Sequence, residues 1–542
     1  MPGRLGVDFG TSNTVIALWD DGRREAAPIS VPRFSQAVAV GKAGRVPVVP
    51  SLIYYAPGGR SWVGAQVHSN QVYESPQAFR WMKRCITRRS GEKQQQIAEG
   101  ELSPGEAASD FLTAVLAAAA EGKDWHDADV AFTVPIDSYE DYREWLAAVA
   151  EKAGVPRPRF IDAASAAALG YGLTLQDGDV YLVFDFGGST LGVSILLVEA
   201  RQSEAGELPT RRCHVLGKAT VDLGGASIDQ WLLEDVLARN GHAHDSEESR
   251  VLGRALLVDC ERCKEQLSKS DKADVSVLNA ENGVILSADY TREQFEQLLE
   301  SHGLYGRVDQ VVGQALDEAR THGCGPEHVT AALMVGGSSL IPSVQERLRA
   351  IFGAERVRLD RPLDAPARGA AAFAAGADIV DFLQHDYAIR HVDPATGGHA
   401  YRPIVRRGTV YPTTEPVAKV VIKASQENQN PLGIALFELD ASAGAEAELA
   451  PETNGTPMEL SFDAAGAVKL GPVSAEDRAS QSRFWLNEHR PTFLSAEPPI
   501  VVGEPRFEVQ FDIDADRRLL ITARDLKTGQ TVLEGQPVVK LT

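Results

Sequence analysis

Two short stretches of the chain place an aspartate at the end of an apolar run and directly before a small-residue turn. The first runs from Gly6 to Val15 and the second from Val183 to Thr190, and both contain the tripeptide Asp-Phe-Gly. A turn of glycine, serine and threonine presents backbone N–H groups and hydroxyls to phosphate oxygens. The preceding carboxylate can hold a hydrated Mg²⁺ against those phosphates. Two copies therefore predict two similar lobes that grip one nucleotide. A pair of ordinary β-hairpins is the alternative, but it does not explain the aspartate at both strand ends.

The elements that must position these turns change in character along the chain. Up to about Gly376, apolar strands alternate with helical patterns, which predicts layered α/β lobes. Helices are predicted over 107–120, 139–153 and 250–267. From Tyr387 onward, short β-rich runs are broken by Pro, Gly and Asn, as in a β-sandwich. The clearest of these runs are 417–424, 433–439, 506–513 and 519–524.

Two segments of the C-terminal third break this β-rich pattern. Residues 442–457 are rich in Ala and Glu and predict a mobile loop. Residues 474–489 are interpreted as an inserted helix. The stretch 440–499 is therefore expected to be enlarged, and its role is left open.

Composition excludes several partner classes. The 542 residues carry 75 acidic and 54 basic side chains, a formal net charge of −21, which argues against nucleic acid or an anionic membrane as the main partner. No apolar run reaches the roughly 18 residues of a membrane span, and the first strand begins too early to leave room for a signal peptide. Five cysteines suit a reducing compartment, so a cytoplasmic location is expected.

Four segments together resemble the heat-shock-70 (DnaK-type) chaperones, a family within the actin-like ATPase superfamily. They are the two Asp-Phe-Gly turns, 159–173 and 332–342. Residues 507–515 are similar to the last strands of that family's peptide-binding β-domain. The resemblance implies an α/β, two-lobed actin-like nucleotide-binding domain (ribonuclease H-like, duplicated) at 1–377, an interdomain linker at 378–386 and a β-sandwich for extended peptide at 387–542. The family's helical lid is absent from this pattern.

The resemblance also implies a site that binds ATP or ADP with Mg²⁺. Asp8 and Asp185 are expected to hold the metal and, with Thr11 and Thr190, to act in catalysis. Nucleotide contacts are expected from Gly10, Thr11, Ser12, Asn13, Gly187, Gly188, Ser189, Thr190, Gly224, Gly225, Glu261, Lys264, Ser268, Gly336, Gly337 and Ser338. Ser189 replaces a family glycine, so its Cβ is expected to shift the loop or restrict its φ angle.

The predicted helix over 250–267 has two faces. Leu256, Cys260, Cys263 and Leu267 fall on one apolar side at helical spacing. Glu261, Lys264, Glu265 and Ser268 share the other side, where the family contacts ribose and adenine. A redox or metal role for the Cys-x-x-Cys pair is the alternative, but no second pair accompanies it. We therefore predict that both cysteines pack as small hydrophobic side chains.

Residues 334–342 predict a strand, a tight turn and a helix, and they resemble the family's adenosine motif. Gly336 and Gly337 would let the backbone pass close to a flat ligand. Pro342 suits the first turn of a helix that runs to Phe352, with Gly353 at its end.

Several departures from the family concern the chemistry itself. The catalytic lysine aligns with His68, with an uncertainty of one residue, and Lys83 is the nearest following lysine. The catalytic glutamate aligns with Ala163, and the two arginines that sandwich adenine align with Glu265 and Leu340, which removes cation–π stacking. Losing one transition-state charge costs roughly a hundred- to thousandfold in rate. We therefore expect slow hydrolysis or none.

Other matches concern partners. Pro135 and Arg143 keep the spacing of the family pair that relays nucleotide state to the linker. Arg159 matches a family arginine that receives the J-domain co-chaperone, although a surface arginine is more often only solvated. The β-domain would bind extended segments of client proteins through edge strands and side-chain pockets.

The sequence leaves three functions open. The first is an ATP-binding chaperone-like protein that couples nucleotide state to peptide binding. The second is a pseudo-ATPase scaffold that acts through protein contacts. The third is a small-molecule kinase or a filament-forming relative, which the β-rich C-terminal third disfavours. Client, co-chaperone and oligomeric state are not predicted.

Overall fold

The computed structural model describes most of the chain and divides it into two compact units. The described residues are 3–40, 44–88, 94–97, 100–120, 128–135, 140–155, 157–172, 176–200, 211–243, 245–279, 282–377, 379–380, 383, 385–393, 397–409, 411–424, 430–439, 458–462, 468–472, 483–488, 490–498, 500–514 and 517–541. The larger unit comprises Met1–Pro135, Glu144–Val380 and Thr453–Val473, and the smaller comprises Ile136–Arg143, Asp381–Glu452 and Ser474–Thr542. No helix in the described ranges is long and apolar enough to cross a membrane.

The N-terminal part of the larger unit is built mainly from short strands. Its elements are β1 (Arg4–Phe9), β2 (Asn13–Asp20), β3 (Glu25–Pro28), β4 (Gln36–Val40), β5 (Gly44–Pro50), β6 (Ile53–Ala56), β7 (Arg60–Val63), α1 (Ala65–Ser69), β8 (Ala78–Phe79), α2 (Met82–Arg88), β9 (Gln95–Ile97), β10 (Gly100–Leu102), α3 (Pro104–Ala120), β11 (Asp129–Val134), α4 (Glu140–Lys152), β12 (Arg159–Asp162) and α5 (Ala163–Gly170).

The rest of the larger unit contains the longest helices. Its elements are β13 (Val180–Phe186), β14 (Leu191–Ala200), β15 (Arg211–Val221), α6 (Gly225–Arg239), α7 (Glu247–Leu267), β16 (Lys272–Leu278), β17 (Ile285–Thr291), α8 (Arg292–Ser301), α9 (Leu304–Thr321), β18 (Ala331–Val335), α10 (Pro342–Phe352), β19 (Val357–Arg358), α11 (Ala365–Ala374) and β20 (Ile379–Val380).

Two mixed sheets of the larger unit repeat one design. The first has the order β12-β11-β1-β2-β5-β4, with β3 beside β2, and the second has the order β19-β18-β13-β14-β15-β20. In each, a central strand pairs in parallel with one neighbour and antiparallel with the strand that follows it: β1 with β11 and β2, β13 with β18 and β14. The predicted strand–turn–strand units are therefore confirmed, and each lies at the centre of its sheet.

Helices cover these sheets because the strands bury apolar side chains on both faces. Helix α11 lies so close to β1 that a Cβ at Gly6 would approach the carbonyl oxygen of Ala367 to 2.1 Å. The second sheet shares a large core with α6, α7, α8, α9 and α10. Each fully buried Leu, Val or Phe of such a core stabilises the fold by about 1.5–3 kcal/mol.

Apart from the first residues of α4, the described part of the smaller unit consists mainly of strands. They are β21 (Asp386–Val392), β22 (His399–Val405), β23 (Ala418–Lys423), β24 (Leu432–Ile434), β25 (Leu436–Leu439), β28 (Arg483–Trp485), β29 (Thr492–Leu494), β30 (Pro505–Ile513), β31 (Arg518–Asp525) and β32 (Thr531–Lys540); β26 (Met458–Phe462) and β27 (Val468–Pro472) belong to the larger unit. Two sheets have the orders β22-β21-β25-β28 and β23-β30-β31-β32, and β24 pairs with β29.

Both four-stranded sheets contribute to one hydrophobic core. Tyr387 and Ile389 enter it from β21, and Phe507, Val509 and Phe511 enter it from β30. The alternation of buried and half-exposed residues along β30 is the period of a strand with one face in the core. The β-rich character predicted for this part of the chain is therefore confirmed.

The structure corrects and refines several local predictions. The inserted helix over 474–489 is wrong where it can be compared, because Arg483–Trp485 is a strand paired with β25; residues 474–482 and 489 lie outside the described residues. The run 433–439 is divided between β24 and β25, which belong to different sheets. The loop predicted over 442–457 lies outside the described residues.

The helices and the linker also differ in detail from the prediction. The helices predicted over 107–120, 139–153 and 250–267 are found as α3, α4 and α7 with slightly different ends. Within the predicted linker, Ile379–Val380 pairs with β15, and Leu383 is buried in the core of the smaller unit. Residues 378, 381, 382 and 384 lie outside the described residues.

Candidate functional site

The two Asp-Phe-Gly turns touch each other. The Thr11 hydroxyl lies 2.9 Å from the Ser189 hydroxyl, and both side chains are buried. A Cβ at Gly188 would lie only 2.7 Å from the Ser12 hydroxyl oxygen. The turns at 10–13 and 187–190 therefore meet tip to tip.

The two aspartates share one lysine. Burial and the nearby Asp8 raise the pKa of Asp185 to about 6, while Lys83 opposes this shift. Burial lowers the pKa of Lys83, and both carboxylates counteract it. Asp8, Asp185 and Lys83 thus form one electrostatic cluster beside the paired turns.

Asp8 has a hydrogen-bond donor that Asp185 lacks. The Thr133 hydroxyl on β11 donates to Asp8 Oδ1 at 2.6 Å. In the second sheet, the residue opposite Asp185 on β18 is Val335, which has no polar side chain. Among the described residues, no hydrogen bond to the Asp185 carboxylate is found. The two aspartates therefore sit in similar places with different neighbours.

Ser51, which directly follows β5, supports the first turn. Its backbone N–H donates to the carbonyl oxygen of Ser12 at 2.9 Å, and its hydroxyl donates to that of Gly10 at 2.8 Å. The same hydroxyl lies 3.0 Å from the Thr14 hydroxyl. Asn13 begins β2 and pairs with Pro50. These bonds fix the backbone of residues 10–13.

The start of helix α6 supports the second turn. The Gly187 N–H donates to the carbonyl oxygen of Thr190 at 3.0 Å, and the Gly225 N–H donates to that of Gly187 at 3.0 Å. A Cβ at Gly224 would lie 2.4 Å from the backbone of Gly188 and Ser189. Helix α6 therefore directs its N-terminus, the positive end of its dipole, at the turn.

Ser189 does not strain this turn. Its φ angle is negative, so the restriction expected from replacing a glycine is not found. Its hydroxyl instead makes the contact with Thr11 described above. The added side chain thus joins the two turns.

The adenosine-like motif packs against the same turn. Gly336 has a φ angle of 84°, and a Cβ there would lie 2.3 Å from the carbonyl oxygen of Phe186. The Ser338 hydroxyl donates to the carbonyl oxygen of Gly187 at 2.9 Å, while Gly337 is exposed. Pro342 begins α10 and Gly353 follows its last residue, Phe352, as predicted.

The polar face of α7 brings two ion pairs to the site. Lys264 Nζ lies 2.7 Å from an Asp229 carboxylate oxygen and donates to the carbonyl oxygen of Gly225 at 3.0 Å. Burial alone would lower the pKa of Lys264, but Asp229 and Glu261 raise it above its usual value. Lys264 is therefore a charged group beside the α6 N-terminus.

Glu261 forms the second pair, with Arg80, at 2.6 Å. Burial would raise the pKa of Glu261, yet Arg80, Lys264 and His68 hold it below its usual value. One turn further, the Ser268 hydroxyl donates to the carbonyl oxygen of Lys264 at 3.1 Å. Glu261, Lys264 and Ser268 thus lie along one side of α7, as predicted.

The donor set fits a magnesium ion better than a metal held wholly by protein. No group of three or more His, Cys, Asp or Glu side chains that could hold a metal occurs in the described part of the chain. Mg²⁺ usually keeps several waters and takes one or two carboxylates together with substrate phosphates. Asp8 and Asp185 offer that pair of carboxylates.

A comparison with protein families identifies the chain. The family model described as "Hsp70 protein" matches residues 4–450. The chain belongs to the Hsp70 family. It is 28% identical over 561 residues to the chaperone protein DnaK of Deinococcus proteolyticus, with 97% of this chain and 77% of that protein covered. It is 26% identical to the chaperone protein dnaK3 of Thermosynechococcus vestitus (98% and 73% covered) and to a chaperone protein DnaK of Thermus thermophilus (97% and 79% covered).

The departures of this Hsp70 from its family can now be placed. His68 lies on α1, and its ring centroid lies 5.3 Å from that of Tyr73. Burial and, to a smaller extent, Arg80 lower the pKa of its imidazole, while Glu261 opposes this shift. The lysine beside the two aspartates is Lys83, on α2. Lys83, rather than His68, is thus the cation beside the two aspartates.

Ala163, Glu265 and Leu340 lie at three different places. Ala163 begins α5, and the preceding Asp162 is committed to that helix because its carboxylate accepts the Ser165 N–H at 2.7 Å. Glu265 is exposed on α7. Leu340 packs against the core of the first sheet.

Arg159 makes contacts within the Hsp70 chain itself. Its guanidinium lies 3.9 Å from the ring centroid of Phe373 and donates to the carbonyl oxygen of the same residue at 2.7 Å. Because Phe373 belongs to α11, Arg159 ties β12 to that helix. The side chain is only half buried, so part of it faces solvent.

Sequence reasoning missed several residues that support the site. Thr133, Ser51, Arg80 and Asp229 were not singled out, and Lys83 was named only as the nearest lysine. Thr133 had a detectable signal, because it is a hydroxyl residue inside the apolar run 130–134. The others come from distant segments whose contacts with the turns depend on the folded chain.

The Cys-x-x-Cys pair plays the structural part that was predicted. Cys260 and Cys263 are fully buried in the core around the second sheet, and both are free thiols. Burial raises the pKa of the Cys263 thiol to about 12 and that of Cys260 well above its usual value. Both therefore remain uncharged and pack as apolar side chains.

Proposed function

We propose that this protein is an ATP-binding Hsp70 chaperone that couples nucleotide state in its larger unit to peptide binding by its smaller unit. The observation that carries the proposal is the contact between the turns at 10–13 and 187–190, with Asp8, Asp185 and Lys83 gathered beside them. Two hairpins of one design, meeting at their tips, fit a ligand with several phosphates.

We also propose the finer architecture. The repeated strand pattern of the two mixed sheets supports a duplicated, two-lobed actin-like domain. The common core of the two four-stranded sheets supports a peptide-binding β-sandwich. The domain limits proposed from the sequence, 1–377, 378–386 and 387–542, are retained.

The residues around the turns would each have a role in holding ATP. The backbone N–H groups of 10–13 and 187–190, with the N-terminus of α6, would bind phosphate oxygens. Glu261, Lys264 and Ser268 on α7, with Gly336 and Ser338, would lie along the nucleoside. Bound Mg²⁺ would supply charge neutralisation of the triphosphate. Asp8 and Asp185 would hold its waters, and Thr11 and Thr190 would complete the polar lining.

Lys83 supports slow hydrolysis. A buried ammonium group beside two carboxylates can stabilise charge that develops on a transferred phosphoryl group. Asp8, anchored by Thr133, can orient the attacking water. The missing glutamate at Ala163 is expected to keep the rate low.

A pseudo-ATPase scaffold is the second candidate. Two observations favour it: Ala163 provides no carboxylate, and the neighbouring Asp162 is used as a helix cap. Such a protein would bind ATP and change conformation without cleaving it. Partner proteins would then respond to the binding of ATP and not to its hydrolysis.

Single-turnover hydrolysis, with protein in excess over ATP, separates these candidates. A chaperone ATPase predicts ADP formation that Asp8→Asn abolishes, whereas a pseudo-ATPase predicts binding with no ADP above background. A fluorescent extended peptide should dissociate at different rates from the ATP and ADP forms. Identical rates in both forms would contradict the proposed coupling.

Partners follow from the same proposal. Clients would be extended segments of other proteins, bound by the smaller unit. A J-domain co-chaperone could still reach the solvent-facing part of Arg159, and loss of co-chaperone stimulation in Arg159→Ala would test this. The net charge of −21 continues to disfavour nucleic acid and anionic membranes as partners. Cytoplasmic location is kept as a proposal that cell fractionation can test.

A further inference from the structure

One face of a sheet in the smaller unit carries aromatic rings together with arginines. In the sheet β22-β21-β25-β28, Tyr401 pairs with Arg390, and Phe437 pairs with Trp485 and with Ala388. Directly paired residues point to the same side of a sheet, as do residues two apart on one strand. These side chains therefore share one face.

The opposite face of this sheet is the one that enters the core. Tyr387 and Ile389, which alternate with Ala388 and Arg390 along β21, are core residues. The face with the arginines is therefore the outer face of the sheet. Arg483 is exposed, Arg390, Tyr401 and Trp485 are half-exposed, and Phe437 is covered.

The rings and guanidinium groups are stacked on each other. The Arg390 guanidinium lies 4.8 Å from the ring centroid of Trp485, and that of Arg483 lies 4.7 Å from the ring centroid of Tyr401. Phe437 lies beneath, with centroid distances of 5.0 Å to Tyr401 and 5.8 Å to Trp485. We call these five residues the arginine–aromatic face.

Neither arginine has an acidic partner in the described residues. Elsewhere in the same unit, Arg506 does have such a partner, Asp525, at 2.7 Å. Within the described ranges, Arg390 and Arg483 stack on rings, which orient a guanidinium but leave its N–H donors available.

We propose that the arginine–aromatic face binds extended polypeptide segments in which acidic side chains stand next to aromatic or apolar ones. The proposal rests on the proposed function, since it names the class of client for the peptide-binding unit. Carboxylates would pair with Arg390 and Arg483, and neighbouring apolar groups would lie on Tyr401 and Trp485.

Two features of the face suit an extended polypeptide. In the part of the chain that the structure describes, β28 is the last strand of this sheet, and an edge strand can pair with an added strand. Rings that already hold the guanidinium groups reduce the entropy lost when a carboxylate binds. Single-stranded nucleic acid could also stack on such rings, but the acidic chain would repel its phosphates.

The test uses the full chain without nucleotide and three labelled peptides that differ only at two positions, occupied by Glu, Gln or Lys beside Phe and Leu. Fluorescence anisotropy gives each affinity. Because the chain has 7 tryptophans, the part of the emission change that is lost in Trp485→Phe reports contact at the face. The test variant is Arg390→Gln with Arg483→Gln. The matched control is Arg402→Gln, an exposed arginine on β22 whose register partner Ile389 faces the core.

The Glu peptide should bind at least about tenfold more tightly than the Lys peptide, with the Gln peptide between them. The double variant should lose this preference while keeping its thermal stability and its affinity for the Gln peptide within about twofold, and Arg402→Gln should keep the preference.

Three outcomes would overturn the proposal. One is equal affinity for the Glu and Lys peptides, which would leave peptide binding, and hence the proposed function, intact. Another is an equal loss of the preference for the Glu peptide in Arg402→Gln, which would show that the preference comes from the overall charge of the chain and not from this face. The third is tighter, arginine-dependent binding of a labelled single-stranded oligonucleotide. Binding of no peptide at all would contradict the proposed function as well.

Discussion

The two hairpins of the larger unit share one design but differ beside their aspartates. Asp8 receives a hydrogen bond from Thr133 on the parallel neighbour of its strand. Asp185 stands opposite Val335 on the parallel neighbour of its own strand, and burial with Asp8 raises its pKa to about 6. The neighbouring side chain on the parallel strand is thus a hydroxyl donor for Asp8 and an apolar group for Asp185.

This difference indicates that the two copies of the motif need not have the same role in the site. A carboxylate held by a hydroxyl keeps a fixed direction, which suits a metal ligand or a group that orients water. A carboxylate without a donor gains more from an incoming cation, because burial leaves its charge poorly compensated.

Replacing either aspartate should have the largest effect. Asp8→Asn and Asp185→Asn should each weaken Mg²⁺-dependent ATP binding by about a hundredfold, since a carboxylate ligand and its charge are lost. Isothermal titration calorimetry gives the affinities. Asp20→Asn, at the far end of β2, is the matched control and should bind as the wild type does. Unchanged ATP affinity in both test variants would show that the two hairpins do not bind the nucleotide.

Lys83 is the charge that both hairpins share. Lys83→Met should slow single-turnover hydrolysis by about a hundredfold, because a cation beside the developing phosphoryl charge is lost. Lys83→Arg should recover part of the rate, and His68→Ala should change it little, since His68 interacts with Glu261 and Arg80 instead. If His68→Ala slows hydrolysis more than Lys83→Met does, His68 rather than Lys83 has the catalytic role.

Exchanging Thr133 and Val335, the neighbours of the two aspartates, tests whether these neighbours make Asp8 and Asp185 differ. Thr133→Val gives Asp8 the apolar neighbour of Asp185 and should weaken Mg²⁺–ATP binding by about tenfold, the cost of a hydrogen bond to a charged group. Val335→Thr gives Asp185 a donor and should move the pH midpoint of Mg²⁺–ATP binding to lower pH. If neither variant differs from the wild type, the neighbours do not set the behaviour of the aspartates.

Asp185 should also make unliganded stability depend on pH. Its pKa is raised from 3.8 to about 6 in the fold, so between these values the folded state binds more protons than the unfolded state. Stability from this group is therefore greatest below pH 4 and falls as pH rises through 6. Asp185→Asn should add about 2–3 kcal/mol of unfolding free energy at pH 7 and less at pH 5, measured by urea denaturation in EDTA. An equal gain at both pH values would contradict the assignment.

Local pattern was enough to predict the elements that carry the site. The apolar runs with their Asp-Phe-Gly turns predicted both hairpins, and the two-faced pattern of 250–267 predicted α7 with its buried cysteines. Pro342 and Gly353 marked the ends of α10 correctly because caps depend on neighbouring residues alone.

Contacts between distant segments could not be predicted in the same way. Lys83, Arg80 and Thr133 reach their partners only through the packing of separate elements, and a single sequence does not record those distances. The segment at 483–485 was read as helical, but pairing with β25 makes it a strand, since tertiary contacts override weak local preference. The stacked arginines of the smaller unit depend on that pairing and were missed with it.

The central claim is that the two aspartate-tipped hairpins hold one nucleotide together. A crystal structure of the full chain with a non-hydrolysable ATP analogue and Mn²⁺ tests it directly, because anomalous scattering locates the metal. We expect the phosphates to lie between residues 10–13 and 187–190, and the metal to lie within one water molecule of Asp8 and Asp185. An analogue and metal bound elsewhere, or at only one of the two turns, would contradict it.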